Sequence, residues 1–83
     1  MENMTITQTV AKRIKEFLLR KEMSQYRLEK ITAIHHGTMS NIMAGKSNSL
    51  NLKTVLLICK GLGVTPSEFF DHPSFTSDEL DID

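Results

Sequence analysis

Residues 24–45 contain two short helical patterns separated by a tight break, and this segment constrains the fold more than any other part of the chain. Ser24 precedes the first pattern, and its side-chain oxygen is suited to accept a hydrogen bond from the free amides at a helix start. Gly45 follows the second pattern, where glycine can end a helix with a positive φ. We therefore expect a helix over residues 25–32, a tight turn, and a second helix over residues 36–43.

The residues before this segment predict a longer helix, over about residues 7–21. Its apolar side chains recur every fourth residue, as one face of an α-helix requires, at Ile6, Val10, Ile14 and Leu18. Thr5 and Gln8 are three residues apart at its start, which is the spacing of a capping box. The basic residues of this helix are expected to face water; they are Lys12, Arg13, Lys15 and Arg20.

Two more helices are predicted after the segment, so the expected fold class is all-α, with five helices and no strand pattern. Asn51 is suited to cap the fourth helix, whose inward-facing residues are expected to be Leu52, Val55, Leu56, Cys59 and Leu62. Thr65 and Glu68, with Pro66 between them, predict a short fifth helix. The remainder is acidic and turn-rich. We expect one domain over residues 1–71 and a short acidic, flexible C-terminal tail over residues 72–83.

The charges are unevenly distributed, although the formal net charge is zero. Residues 1–60 contain all ten basic residues and four acidic ones, a net of +6, whereas residues 61–83 have a net charge of −6. This asymmetry favours a basic surface that binds nucleic acid; solvated charged faces on a neutral domain are the alternative. No apolar run is long enough for a membrane span, and Cys59 has no partner for an internal disulfide, so a cytoplasmic protein is expected.

The paired helices have the spacing of a helix-turn-helix, in which the second helix enters the DNA major groove. The chain resembles the Cro/C1-type helix-turn-helix family, the lambda-repressor-like DNA-binding domains, over about residues 9–71. The residues that carry the resemblance are Ser24-Gln25 before Leu28, Ala33-Ile34 at the turn, Met39 and Ile42 in the second helix, Gly45-Lys46, and Leu62-Gly63-Val64. Over residues 24–45 the match needs no insertion or deletion.

The resemblance implies a DNA-binding site on double-stranded DNA. Gln25 would hydrogen-bond a phosphate from the start of the first helix of the motif. The residues facing the major groove would be His35, His36, Gly37, Ser40 and Asn41. Asn41 has the amide geometry to bind adenine N6 and N7, and His36 would donate to a guanine acceptor or a phosphate. The residues expected at phosphates or the DNA backbone are Lys46, Ser47, Asn48, Asn51 and Lys53.

Some positions depart from the family pattern, among them Glu29 and Thr32. Glu29 stands where relatives usually place a small residue, and we expect its side chain to turn outward so that its charge stays in water. Thr32 replaces an apolar residue, and its hydroxyl is expected to bond a carbonyl one turn back. The groove face also lacks arginine and lysine. Sequence readout is therefore expected to be modest or to depend on DNA shape.

These observations favour a sequence-specific transcriptional regulator, a small repressor that binds a palindromic operator as a homodimer. Exposed apolar residues are expected to form the dimer face; the candidates are Leu19, Leu57, Phe69, Phe70 and Phe75. Alternatively, the tail folds back and Phe75 and Leu80 pack on the fifth helix within one chain.

The alternative function is a protein-interaction module on the same fold, an antitoxin-like or anti-repressor partner that binds another protein through its acidic tail. Enzymatic activity is not expected, because no nucleophile with a base, carboxylate pair or glycine-rich phosphate loop has a usable spacing. No cofactor or metal is expected either. His35 and His36 are adjacent on a helix and point about 100° apart, with no further ligand nearby.

Overall fold

A computed structural model describes residues 4–46, 50–78 and 80–81 of the chain. These ranges contain five α-helices and a short 3-10 helix, in the order α1 (Ile6–Arg20), α2 (Gln25–Thr32), α3 (His36–Met43), α4 (Leu52–Leu62), α5 (Pro66–Phe70) and the 3-10 helix Pro73–Phe75. The all-α fold class is confirmed. None of the helices in the described ranges has the length and apolarity needed to cross a membrane.

The helices begin where their capping residues predict. Thr5 and Gln8 form a capping box at α1: the Gln8 N–H donates to the Thr5 hydroxyl at 3.1 Å, and the Thr5 N–H donates to the Gln8 amide oxygen at 2.9 Å. Thr65 and Glu68 form a second capping box at α5, whereas Ser24 and Asn51 cap α2 and α4 only by accepting a hydrogen bond from the backbone N–H three residues later. These bonds satisfy amides that have no carbonyl partner within the helix. The observed α1 is shifted by one residue from the predicted range, and α2 and α3 coincide with theirs.

A single apolar core joins all five helices. Its buried residues are Val10, Ile14, Phe17, Leu18, Leu28, Met39, Ile42, Val55, Ile58, Cys59, Leu62, Val64 and Phe69. The prediction for α4 was wrong at three positions, because Leu52 and Leu56 are 71% and 43% exposed whereas Ile58 is fully buried. Helix α4 is apolar at more positions than one buried face can take. Contact with the other helices therefore decides which of its apolar residues are covered.

Arg13 differs most from its predicted environment, because its side chain is only 6% exposed. Its Nε donates to the Phe69 carbonyl at 2.8 Å, and its Nη2 donates to the carbonyls of Glu68 at 2.8 Å and Asp71 at 3.3 Å. The guanidinium also lies 4.4 Å from the centre of the Phe17 ring. The last carbonyls of a helix lack partners within the helix and favour a cation. Arg13 therefore fastens the end of α5 to the middle of α1.

The described residues after α5 contact the domain, and in this they differ from the flexible tail predicted for them. The Phe75 ring lies 4.9 Å from the Phe70 ring and 6.3 Å from the Phe69 ring, measured between centres. The Ile6 N–H, at the start of α1, donates to the Asp81 carbonyl at 2.8 Å. Phe75 thus gains an apolar contact, and Ile6 gains a hydrogen-bond partner. The acidic composition of the segment indicates neither interaction. This is the folded-back arrangement, in which Phe75 packs within one chain.

Candidate nucleic-acid interface

The turn between α2 and α3 is built from three residues. Ala33 ends α2 in the left-handed conformation, with φ of 58°, and Ile34 packs against the core. The Thr32 hydroxyl donates to the Leu28 carbonyl at 2.7 Å, as predicted, and also accepts a hydrogen bond from the Ile34 N–H at 3.3 Å. His35 then occupies the N-cap position of α3 without a side-chain capping bond. The turn between the two helices is thus held by the hydrogen bond from Ile34 to Thr32 and by the contact of Ile34 with the core.

The five residues predicted to face the groove all lie on the solvent side of α3. His35, His36 and Gly37 are exposed, and Ser40 and Asn41 are half-buried. The inner side of the same helix carries Met39 and Ile42, which are fully buried. The Asn41 side chain makes no hydrogen bond with the residues that the structure describes. Contact of these residues with DNA stays a prediction.

The prediction that Glu29 turns outward was wrong, since its side chain is 9% exposed and accepts hydrogen bonds from two neighbours. The Gln25 amide, one turn earlier in α2, donates to it at 3.0 Å. His36 Nδ1 lies 2.9 and 3.1 Å from the two carboxylate oxygens. The Gln25 amide and, to a smaller extent, His36 lower the pKa of Glu29 below its ordinary value, against the opposing effect of burial. Protein donors thus replace the water that the carboxylate loses.

The hydrogen bonds of Glu29 continue along the solvent side of α3. The Ser40 hydroxyl lies 3.3 Å from His36 Nε2, so Gln25, Glu29, His36 and Ser40 form one chain of hydrogen bonds. Sequence reasoning missed Glu29 as a member of the site. The spacing of four residues between Gln25 and Glu29 was a usable signal, because it places both on one helix face. The contact with His36 crosses the turn and has no such signal.

The residues predicted to hold phosphates lie on both sides of a segment outside the described residues. Gly45 ends α3 with φ of 80°, and the Lys46 N–H donates to the Asn41 carbonyl at 3.0 Å. Ser47 and Asn48 lie outside the described residues. Asn51 and Lys53 are exposed, but the Asn51 side-chain oxygen already accepts hydrogen bonds from Thr54 as the cap of α4. Lys46 and Lys53 remain exposed cations.

Comparison with known protein families agrees with this geometry. A model of the Cro/C1-type HTH DNA-binding domain matches residues 13–74, which include the whole α2–turn–α3 unit. The chain belongs to the Cro/C1-type helix-turn-helix family. It is therefore a DNA-binding transcription regulator of that family, and the resemblance seen in the sequence is confirmed. No curated protein matches this Cro/C1-type chain significantly.

Solved structures with similar folds include a restriction-modification controller protein and a prophage protein. The restriction-modification controller protein C.Esp1396I is 32% identical, with a TM-score of 0.72 over 78% of this chain and 84% of the controller. A tetramer of the same controller, in complex with its natural 35-base-pair operator, has a TM-score of 0.75 at 29% identity, over 86% of this chain and 95% of the controller. Prophage Lp1 protein 11 has a TM-score of 0.80 at 20% identity, over 89% of this chain and 97% of that protein, a likeness of fold alone.

Proposed function

We propose that this Cro/C1-type regulator is a small repressor that binds a palindromic operator as a homodimer, with α3 of each copy in the major groove. The observation that carries the proposal is the division of α3 into a buried inner side and a solvent side bearing His35, His36, Gly37, Ser40 and Asn41. A repressor of this size acts by occupying a promoter. The structure of the related controller protein with its operator supports operator binding.

In the proposed complex, Asn41 reads an adenine through its amide, and Gly37 lets the backbone of α3 come close to the bases. Gln25 retains a second amide hydrogen for a phosphate, while Lys46 and Lys53 supply positive charge on either side of residues 47–49. Replacing Asn41 by alanine is expected to change the preference at one base pair by about 1–3 kcal/mol. Replacing Lys46 by alanine is expected to weaken all sequences alike.

Selection of bound DNA from a random pool tests this proposal most directly. The expected result is a palindrome whose half-site centres are about 34 Å apart, since a two-fold dimer presents its two reading helices one DNA turn apart. Binding without sequence preference would contradict it. A stoichiometric protein partner that stays bound at high salt during purification would favour the protein-interaction alternative.

We place the dimer contact on α4. Leu52, Leu56 and Leu57 form an apolar surface there, with Lys53 and Lys60 beside it. The aromatic candidates are less suitable, because Phe69 is buried and Phe75 packs on Phe70 within the chain. A second copy is the proposed occupant, because a palindromic operator requires a two-fold pair and the related controller protein assembles as a tetramer on its operator.

Sedimentation equilibrium tests the position of the contact. The Leu56→Lys variant is expected to be monomeric and to bind the operator more weakly than the wild type. Leu19→Lys makes the same change at the rival candidate on α1, where Leu19 is 82% exposed and does not line the α4 surface, and it is expected to leave the dimer intact. If Leu19→Lys instead dissociates the dimer and Leu56→Lys does not, the contact is formed by α1.

A further inference from the structure

We infer that Glu29 determines which bases α3 selects, although it lies beneath the surface that would meet DNA. The inference rests on the proposed function, because it concerns the readout of that same DNA-binding surface. Its basis is the chain of hydrogen bonds through Gln25, Glu29, His36 and Ser40. Glu29 is a positioning residue, since it acts on the bases only through His36 and Ser40.

The carboxylate of Glu29 sets the direction of every hydrogen bond in this chain. An ionised carboxylate only accepts hydrogen bonds, so its two neighbours must both donate. The Gln25 amide nitrogen at 3.0 Å donates to one carboxylate oxygen. His36 Nδ1 at 2.9 Å must therefore carry a hydrogen, which is directed into the carboxylate. A neutral imidazole has only one N–H, so the Nε2 of His36 is then an acceptor.

The Ser40 hydroxyl is the next donor in this chain of hydrogen bonds, which all point toward Glu29. It lies 3.3 Å from His36 Nε2 and must donate to it, since that nitrogen carries no hydrogen in this tautomer. The Ser40 oxygen consequently presents its lone pairs to solvent. Because the His36 side chain is itself 75% exposed, Nε2 is also accessible if the Ser40 hydroxyl turns away. While the Ser40 hydroxyl donates to Nε2, this part of α3 presents only acceptors; a hydroxyl that turns away is itself free to donate, and Nε2 remains an acceptor.

Acceptors on the protein select donors on the bases. In the major groove, adenine N6 and cytosine N4 are amino donors, whereas guanine presents only the acceptors N7 and O6. At the base that faces His36 and Ser40, the regulator is thus expected to prefer adenine or cytosine and to reject guanine. This differs from the role suggested by the sequence, in which His36 donates to a guanine acceptor or a phosphate.

The Glu29→Gln variant tests the inference because glutamine has the same shape but can also donate. Its amide can donate to His36 Nδ1, which moves the imidazole hydrogen to Nε2 and allows the site to donate toward DNA. Glu22→Gln is the matched control, since it removes the same charge from an exposed residue between α1 and α2 that takes no part in the hydrogen-bond chain.

Binding to operator variants that differ at this base, measured at pH 8.5, gives the first readout. Wild type and Glu22→Gln are expected to prefer adenine or cytosine over guanine by about tenfold, and Glu29→Gln by about threefold or less. Ser40→Ala removes the hydroxyl but leaves His36 Nε2 as an accessible acceptor, so this variant is expected to keep the preference for adenine or cytosine. Equal preference in wild type and Glu29→Gln would overturn the inference.

The tautomer of His36 gives a second readout that needs no DNA. Nitrogen-15 NMR of the full chain at pH 8.5 is expected to show a neutral His36 protonated at Nδ1, with its signals assigned by their loss in His36→Gln. An Nε2–H tautomer or a charged ring in the wild type would overturn the inference. If the wild-type protein binds DNA without sequence preference, the proposed function is overturned, and the expected base preference with it. The NMR measurement still tests the His36 tautomer in that case, because it needs no DNA.

Discussion

Replacing Arg13 by methionine is expected to destabilise the fold strongly without unfolding it. Methionine keeps an unbranched apolar stem beside Phe17 but removes the donors to the carbonyls of Phe69, Glu68 and Asp71. A hydrogen bond to a charged group contributes about 1.5–3 kcal/mol, and a buried acceptor left without a partner costs about 1–3 kcal/mol.

The loss is dominated by the Phe69 carbonyl, which lies in the buried part of the contact, whereas the carbonyls of Glu68 and Asp71 are partly buried and can regain water. We assign about 2–3 kcal/mol to the Phe69 carbonyl and about 1 kcal/mol to each of the others. Relief of the desolvation of the guanidinium returns about 1–2 kcal/mol. The expected net loss of unfolding free energy is therefore about 3 kcal/mol.

Thermal unfolding followed by circular dichroism, with urea titration at 25 °C, measures this loss. A loss of about 3 kcal/mol corresponds to a fall in Tm of about 12–24 °C for a domain of this size, and the total stability of about 4–12 kcal/mol allows most of the variant to stay folded. Arg13→Lys is expected to lose about half as much, because an ammonium can reach only some of the carbonyls. Lys12→Met, at the exposed neighbouring position, is the control. A loss in Arg13→Met no larger than that in Lys12→Met would refute the reasoning.

Three further predictions follow from local geometry. Gly45→Ala is expected to lower the unfolding free energy by about 1–2 kcal/mol, because φ there is 80° and the added methyl also meets Cγ of Gln8 at 2.7 Å. Unchanged stability by urea titration would contradict this. Gly37→Ala is expected to raise the unfolding free energy by about 0.5–1 kcal/mol, because nothing lies within 4 Å of the added methyl. The same variant is expected to bind the operator more weakly. An affinity equal to that of wild type would argue against close approach of the α3 backbone to DNA. Hydrogen bonds from the Thr65 backbone and hydroxyl lower the pKa of Glu68 in the folded protein. The stability that ionised Glu68 contributes to the fold is therefore complete above the ordinary carboxyl pKa and is lost as the pH falls through the lowered pKa of the folded state. The urea midpoint of wild type is therefore expected to fall more between about pH 6 and pH 3 than that of Glu68→Gln, and equal falls would exclude this contribution.

The sequence by itself determined the features that depend on residues close together in the chain. Capping requires a side-chain oxygen and an amide three residues later, so Thr5, Ser24, Asn51 and Thr65 marked the helix starts correctly. The two short helices and the tight turn of residues 24–45 followed from the same kind of pattern, and the resemblance to the family completed the motif. Such signals suffice because the physical interaction itself is local.

Tertiary structure alone decided what depends on distant partners. Arg13 looked like a solvated cation until the end of α5, more than fifty residues later, placed three carbonyls around it. Glu29 looked like a charge that must reach water until α3 brought His36 against it. In the same way, Ile58 is buried and Leu56 is exposed because the neighbouring helices cover one face of α4, which has more apolar residues than that face can take. A buried polar or charged group is stable only where donors and acceptors meet it, and when those partners lie elsewhere in the chain only the folded structure can identify them.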